Sequence, residues 1–204
     1  MKRIFVTGIG TDIGKTVVSA VLVEALKADY WKPVQTGSFF SRDTVEVKRI
    51  VSNTKSQFHP ESYLLKQPMS PHAAAELEGV EIQMDQIRLP DTKNHLIIEG
   101  AGGLMVPLNK QYFMIDLIQK FNADVILVVK NYLGSINHTL LSIDVLKNRG
   151  VNIMGIVINE EPHELSENII LQYSGLKLLG RINKEGMIKK EVIERYAKGF
   201  STLF

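Results

Sequence analysis

The residues best suited to chemistry lie in a glycine-containing stretch, residues 8–16, near the beginning of the chain. The apolar run of residues 4–6 before it predicts a buried strand, and residues 17–26 after it predict a helix. A glycine loop in that context can turn its backbone N–H groups around a phosphate, and the first turn of the helix points free N–H groups at the same anion. We therefore predict a P-loop in which Lys15 reaches the outer phosphates and the Thr16 hydroxyl binds Mg²⁺.

This loop is one residue longer than the strict pattern, which places four residues between its first glycine and the Gly-Lys-Thr triplet. Here five residues separate Gly8 from Gly14, because position 9 is Ile. The alternative is an ordinary strand-to-helix turn in which Gly-Lys-Thr occurs by chance. The strand on one side and the helix on the other favour the phosphate loop.

Two acidic residues could bring carboxylates to a metal ion near Thr16. Glu99 follows the apolar run of residues 96–98 and precedes glycines, and a charged side chain that ends a buried strand needs a partner. Asp43 begins a predicted helix over residues 43–51, so it could equally be a helix N-cap or a metal ligand.

Two further positions have both an ordinary and a functional interpretation. Lys32 stands before Pro33 in a predicted short strand, residues 30–34, and is either a surface lysine or a second cation over phosphoryl or carboxylate oxygens. Asn137 and His138 lie in the first turn of a helix predicted for residues 136–149, with Ser135 as its cap. The backbone N–H groups of that turn are either satisfied by the cap alone or bind an anion.

The alternation of strands and helices predicts an α/β fold with a mostly parallel sheet and helices on both faces, in a single domain over residues 1–204. In such sheets the ligand lies beyond the carboxyl ends of the strands, where the residues above are found. The remaining predicted strands are 124–129, 153–158 and 177–180, the remaining helices are 72–77, 84–89, 113–121, 164–172 and 187–196, and residues 53–72 are expected to be irregular.

Composition limits the classes of partner. The net charge is +2 without a long block of like charge, so we expect neither nucleic-acid nor membrane-surface binding. No apolar run reaches transmembrane length, and the apolar run before residue 7 is too short for a signal peptide. Cysteine is absent, which excludes disulfides and thiolate metal sites. We expect a cytoplasmic protein.

The motifs together resemble the dethiobiotin synthetase family of the P-loop NTPase superfamily. The resemblance runs in order from residue 4 to about residue 180, and the longer loop is also how the family's loop runs. It is carried by Val6-Thr7-Gly8 through Lys15-Thr16, Lys32-Pro33-Val34 with Thr36-Gly37-Ser38, Ser70-Pro71-His72, Glu99-Gly100-Ala101-Gly102-Gly103, Leu133-Gly134, Ile136-Asn137-His138 and Asn159.

The resemblance implies an ATP-dependent ligase that makes dethiobiotin from 7,8-diaminopelargonate and CO₂, with Lys15 and Lys32 as catalytic cations. It implies that Mg²⁺ is held by Thr16, Asp43 and Glu99. The implied nucleotide-binding residues are these three with Thr11, Asp12, Ile13, Gly14, Lys15, Gly100, Ala101, Gly102 and Asn159. The implied substrate-binding residues are Thr11, Lys32, Thr36, Gly102, Gly134, Ser135, Ile136 and Asn137.

The same resemblance implies a homodimer in which residues 134–137 of one subunit meet the distant carboxylate of the diamine bound to the other. One departure concerns the nucleobase. Relatives commonly carry Ile-Pro after the last strand, whereas this chain has Ile182-Asn183-Lys184-Glu185.

Three other functions are considered. A partitioning-type ATPase switch on the same fold usually carries an extra lysine early in the loop, where this chain has Ile9 and Gly10. A glutamine-dependent amidating enzyme needs a nucleophilic cysteine, and this chain has none. A non-catalytic nucleotide-binding subunit is distinguished only by assay.

Overall fold

The structure is a computed structural model that describes residues 1–37 and 41–201. The described residues form a seven-stranded sheet in the order β4-β2-β6-β1-β7-β8-β9, together with a separate two-stranded sheet of β3 and β5. The strands are β1 Arg3–Gly8, β2 Asp29–Trp31, β3 Val34–Gln35, β4 Phe58–His59, β5 Tyr63–Leu64, β6 Leu96–Glu99, β7 Asp124–Val129, β8 Ile153–Asn159 and β9 Leu178–Ile182. The helices are α1 Lys15–Leu26, α2 Asp43–Ile50, α3 Pro71–Leu77, α4 Met114–Phe121, α5 Ser135–Asn148, α6 Glu164–Ser174 and α7 Lys190–Phe200.

Each strand pair in the large sheet is parallel, which confirms the predicted fold class. Its central strands are apolar on both faces because helices cover both. Alternate residues of β1 divide between two cores: Phe5 packs with Trp31 on one face, and Ile4 and Val6 pack with α1 on the other. No helix in the described parts of the chain is long and apolar enough to cross a membrane.

Strand register brings the predicted site residues to one edge. Val6 of β1 pairs with Glu99 of β6, and Tyr30 of β2 pairs with Ile97 of β6. Lys32 comes two residues after Tyr30, and Glu99 comes two residues after Ile97, so both side chains point to the face that carries α1. The sheet thus places Lys32 and Glu99 side by side at the beginning of α1.

Several local predictions are wrong. The strand predicted for residues 30–34 is divided at Lys32–Pro33, because proline has no N–H for the ladder. Residues 53–72 contain the short strands β4 and β5, whose two-residue lengths give no periodic signal. The helix predicted for residues 84–89 is a single 3₁₀ turn, Met84–Gln86.

Two other sequence-based statements need adjustment. The cap of α5 is Gly134 with a positive φ of 101°, and Ser135 is the first helical residue. Ser38, which is part of the family resemblance, lies outside the described residues.

Candidate active site

The P-loop has the backbone shape that an anion-binding loop needs. Gly14 is the N-cap of α1 with a φ of 91°, and Asp12 also has a positive φ of 56°. No side chain caps this helix, so its first N–H groups point into the loop without a side-chain acceptor. Lys15 folds back over the loop, and its Nζ donates to the Gly10 carbonyl oxygen at 2.8 Å.

Two close approaches hold the P-loop against neighbouring segments. A Cβ on Gly103 would lie 3.3 Å from the Gly8 carbonyl oxygen, so the glycine loop after β6 packs closely on the P-loop backbone. On the other side, Asn159 Nδ2 donates to the Ile13 carbonyl oxygen at 2.9 Å. A Cβ on Gly14 would lie only 1.7 Å from that same nitrogen, so position 14 has no room for a side chain.

Glu99 is the centre of the charged cluster. Its side chain is 1% exposed at the end of β6. Oε1 accepts from Thr16 Oγ1 at 2.9 Å and from Lys32 Nζ at 3.2 Å. Oε2 accepts from the Tyr30 hydroxyl at 2.9 Å. The donors to this carboxylate therefore come from β2, from the residue directly after β2 and from the first turn of α1.

Asp43 reaches the cluster from the other side of the cleft. Its carboxylate bonds with Lys32 Nζ, and its backbone N–H donates to Gln35 Oε1 at 3.0 Å. Gln35 in turn donates to the Thr36 carbonyl oxygen at 2.7 Å. The carboxylate of Asp43 does not cap α2, since the cap is Arg42 and no side-chain cap bond is formed there. The N-cap interpretation of Asp43 is therefore wrong, and its role as a metal ligand stays a prediction.

Lys32 is buried rather than a surface lysine, with a side chain only 6% exposed. Burial by itself lowers the pKa of an ammonium group, but the carboxylates of Glu99 and Asp43 outweigh it and raise the pKa of Lys32 above its ordinary value. Because its pKa is raised, Lys32 stays charged in the folded protein. At Lys15 the effect of burial is the larger one and lowers the pKa; the carboxylate of Glu99 opposes this shift, and the like charge of Lys32 reinforces it.

These residues open onto a cleft of about 990 Å³. The sequence-predicted residues that line it are Thr11, Asp12, Gly14, Lys15, Thr16, Lys32, Thr36, Asp43, Glu99, Ala101 and Gly102. Ile13 belongs to a smaller neighbouring cleft on the other side of the P-loop, together with Lys130, Tyr132 and His138. Gly100 lies below the surface, where a Cβ would meet the Phe5 ring at 2.8 Å.

The segment 134–137 is not brought to this cleft by its own subunit. Gly134 and Asn137 are exposed at the beginning of α5, and none of the four residues is among those that line the cleft. Leu133, next to the segment, is fully exposed. Within one chain, the phosphate-side prediction and the α5 prediction therefore describe two separate surfaces.

Sequence reasoning missed several residues at the site, and Tyr30, Gln35 and Lys66 show why. Tyr30 could have been found, because it precedes Lys32 by two residues in a strand and must point to the same face. Gln35 follows Lys32 by three residues across a proline that interrupts the strand, so no period predicts its position. Lys66 lines the cleft from the loop after β5, a strand that the sequence did not indicate.

The donors at the cluster fit a magnesium ion. Two carboxylates and a hydroxyl converge near the phosphate loop, and Mg²⁺ in nucleotide sites uses one or two carboxylates with waters and phosphate oxygens. The described residues contain no cluster of three or more His, Cys, Asp or Glu side chains that could enclose a metal by themselves. A metal here would thus be held jointly by protein and nucleotide.

The parallel sheet, the P-loop and the cluster at the first turn of α1 define a P-loop nucleotide-binding α/β protein. Residues 2–192 match the family model described as an AAA domain. The ATP-dependent dethiobiotin synthetase BioD of Cytophaga hutchinsonii is 53% identical over 198 residues, which are 97% of this chain and 96% of that protein. The enzyme of the same name from Christiangramia forsetii is 50% identical over 98% of this chain and 96% of its own. The chain belongs to the ATP-dependent dethiobiotin synthetase family.

Solved structures agree on the fold alone. The cell division ATPase MinD of Pyrococcus furiosus superposes with a TM-score of 0.60 at 17% identity, covering 100% of both chains. A plasmid partition protein of Borrelia burgdorferi bound to AMPPNP gives 0.57 at 10% identity, covering 99% of this chain and 97% of its own. At these identities the likeness to partitioning ATPases extends to architecture and says nothing about activity.

Proposed function

We propose that the protein is a dethiobiotin synthase, which joins CO₂ to 7,8-diaminopelargonate at the expense of ATP and closes the ureido ring. CO₂ adds to one amine of the diamine to give a carbamate, and a carbamate oxygen attacks the γ-phosphorus of ATP, releasing ADP. The second amine then attacks the carbonyl carbon of the mixed anhydride and expels phosphate. The observation that carries the proposal is the convergence of Lys32, Glu99, Asp43 and Thr16 beside the P-loop in one cleft.

The chain's own groups bring two anions together. Backbone N–H groups of residues 12–16 and the Lys15 ammonium hold the triphosphate, and Thr11, Ala101 and Gly102 form the adjoining wall of the cleft. Lys15 Nζ donates to the Gly10 carbonyl oxygen, and a phosphate bound in the loop would compete for this ammonium group. Fixed alignment of carbamate and γ-phosphate supplies much of the rate enhancement, as in other phosphoryl transfers.

Lys32 faces the carbamate from the other wall. Its raised pKa keeps it an ammonium ion, so it can offset the negative charge of the carbamate oxygens but cannot act as a general base. Thr36 also lines the cleft, and we propose that it hydrogen-bonds the diamine. No side chain needs to form a covalent intermediate.

Thr16, Asp43 and Glu99 would hold Mg²⁺ in this arrangement. The ion would neutralise part of the charge on the outer phosphates. Lys32 bonds to both carboxylates, so its single positive charge offsets part of their negative charge.

The active unit is proposed to be a homodimer. The beginning of α5, where Gly134 and Asn137 are exposed, has no side-chain cap and lies outside the cleft of its own subunit, so the first turn of this helix could receive a carboxylate. A partner subunit could bring it to the far end of the diamine, where it would complete the site. A monomer that is fully active at the concentration where light scattering detects no dimer would contradict this assembly. The homodimer is inferred from the family, and we also propose a cytoplasmic location.

The experiment that tests the reaction combines the purified protein with 7,8-diaminopelargonate, bicarbonate and MgATP, and follows dethiobiotin and phosphate. Each reactant is omitted in turn as a control. We expect phosphate release to require the diamine and CO₂ together, with one phosphate per dethiobiotin. Rapid ATP hydrolysis that ignores both reactants would instead indicate an ATPase switch.

A further inference from the structure

Tyr30 is a buried residue that contacts the charged cluster but not the cleft. Its side chain is fully buried, and its hydroxyl donates to Glu99 Oε2 at 2.9 Å. The cleft is lined by Glu99, Lys32 and Thr16, whereas Tyr30 is not among the residues that line it. A hydroxyl in this place can act on the reaction only through the carboxylate that it holds.

The hydrogen bonds divide the two oxygens of Glu99 between different tasks. Oε1 faces Thr16 and Lys32 and so points toward the phosphate side. Oε2 faces away from them and is occupied by the Tyr30 hydroxyl. To turn Oε2 as well as Oε1 toward a ligand in the cleft, the carboxylate would have to rotate and break the bond from Tyr30.

The tyrosine itself is held firmly. β2 lies between β4 and β6, and Tyr30 pairs in parallel register with Phe58 on one side and Ile97 on the other. Its ring packs near the Phe58 ring, with centroids 6.2 Å apart, within the core under α1. Since backbone and ring are both fixed, the hydroxyl defines the direction of the carboxylate.

We propose that Tyr30 is a positioning residue: it orients the Glu99 carboxylate so that only Oε1 faces the cleft, an arrangement that suits Mg²⁺. The inference rests on the proposed role of Glu99 in magnesium binding. Mg²⁺ demands compact, near-octahedral coordination, whereas Ca²⁺ is larger and readily takes both oxygens of one carboxylate. A carboxylate whose second oxygen is engaged by the protein disfavours the two-oxygen mode and so favours the smaller ion.

Asp43 has no comparable support. Its side chain is 26% exposed, against 1% for Glu99, and its carboxylate contacts Lys32 among the described residues. Glu99 is therefore the ligand whose orientation is fixed by the protein, so metal binding should respond most strongly to loss of the bond from Tyr30.

Tyr30→Phe tests the proposal, because it removes the hydroxyl and keeps the ring in the core. Binding of a fluorescent, non-hydrolysable ATP analogue is followed while Mg²⁺ or Ca²⁺ is titrated into the wild type and the variant under identical conditions. We expect the Mg²⁺ midpoint to rise about 10-fold or more, as for other residues that orient metal ligands. We expect the Ca²⁺ midpoint to rise less, so that the preference for Mg²⁺ over Ca²⁺ declines.

Tyr63→Phe is the matched control. The Tyr63 hydroxyl accepts a hydrogen bond from the Gln83 backbone at 3.0 Å and lies away from the cleft. Its loss should leave both metal midpoints unchanged. Circular dichroism checks that the variants fold, and Tyr30→Met, which also lacks the hydroxyl, replaces Tyr30→Phe if the latter does not.

The outcomes separate this inference from the proposed function. An unchanged Mg²⁺ midpoint in Tyr30→Phe would overturn the positioning role, and so would an equal rise for Mg²⁺ and Ca²⁺, which would reflect general loosening. If the wild type itself binds the analogue without any dependence on Mg²⁺, the proposed magnesium site fails instead, and Tyr30 with it. Dethiobiotin formation by the wild type would still stand as a separate result.

Discussion

Buried charges occur in two regions at the carboxyl edge of the sheet, and they are satisfied in different ways. In the cleft beside β1, β2 and β6, Lys32 lies between Glu99 and Asp43, and these groups also line open space. At the outer edge after β7, β8 and β9, Glu167 pairs with Arg181, and the same carboxylate accepts from Asn131 at 2.8 Å and from the His163 N–H at 2.8 Å.

From this difference we infer that the charges in the cleft belong to a binding site, whereas the charges at the outer edge stabilise a loop. Each acceptor of Glu167 is engaged by protein groups that also tie the loop after β8 to its neighbours, since Arg181 donates to the Glu160 carbonyl oxygen as well. The cleft charges instead face a volume large enough for a nucleotide and a small acid, and their bonds can be exchanged for ligand bonds. Burial and charge alone would not distinguish the functional site from the structural ion pair.

The largest expected effect is in the cleft. Lys32→Ala removes a preorganised cation from beside the reacting oxygens, so we expect kcat/KM for dethiobiotin formation to drop about 100-fold, or about 3 kcal/mol of transition-state stabilisation. It also leaves two carboxylates facing each other without their partner, so the melting temperature should fall too.

The exposed Lys93, in the turn before β6, supplies the control. Lys93→Ala changes the net charge equally and should leave kcat/KM unaltered. The assay is run well below the melting temperature of both variants, so that the loss in rate is not a loss of folded protein. A decrease smaller than about threefold for Lys32→Ala would show that the cluster in the cleft is structural, like that at the outer edge.

At the outer edge the expected effect is on stability. Glu167→Gln should lower the free energy of unfolding by about 2 kcal/mol, less than for a fully buried pair because Arg181 is 19% exposed. Denaturant unfolding measures it. Catalytic rates at saturating substrates should be nearly unchanged if this region only supports the loop.

The same variant has a characteristic pH dependence. Burial raises the pKa of Glu167, but the bonds from Arg181, the His163 N–H and Asn131 outweigh it, so the pKa of the folded state lies below the ordinary value. The stabilisation is therefore complete above the unfolded pKa, about 4.3, and is lost as pH falls through the folded pKa. The stability difference between wild type and Glu167→Gln should shrink in that range. Glu164→Gln, at an exposed position of the same helix, should show no such change.

The two regions also differ in how well the sequence predicts them. The fold and the phosphate side follow from local patterns: apolar runs give the strands, and the ligand edge follows from their parallel arrangement. Tyr30, Gln35 and the partners of Glu167 depend on strands that are adjacent in space but distant in sequence. Asn131 follows β7, Glu167 lies in α6 and Arg181 lies in β9, and no motif joins the three. Tertiary pairing of this kind has no signal in one sequence.

We expect the smallest effect when the nucleobase of the triphosphate is changed, because the groups at the outer edge of the sheet are engaged in hydrogen bonds within the protein. Base selectivity requires donors and acceptors that go unpaired with the wrong base, at about 1–3 kcal/mol for each unsatisfied group. The family resemblance implies that Asn159 binds the nucleotide, and in this structure its Nδ2 donates to the Ile13 carbonyl oxygen, so the same residue also supports the P-loop. The sequence departs from the family at Asn183 and Lys184, whose backbone N–H groups donate to Tyr196 Oη at 3.1 Å and to Glu161 Oε1 at 3.3 Å.

Protein groups thus occupy donors that a selective base pocket would leave for the ligand, while the phosphate grip is the same for every nucleoside triphosphate. We expect kcat/KM for dethiobiotin formation to differ among ATP, GTP and CTP by about 10-fold or less at equal Mg²⁺. Asn159→Ala should raise KM for ATP and GTP by similar factors, because it loosens the loop that holds their common phosphates. A preference for ATP above about 100-fold, or a loss confined to ATP in Asn159→Ala, would mean that the edge after β8 and β9 rearranges into a selective pocket when nucleotide binds.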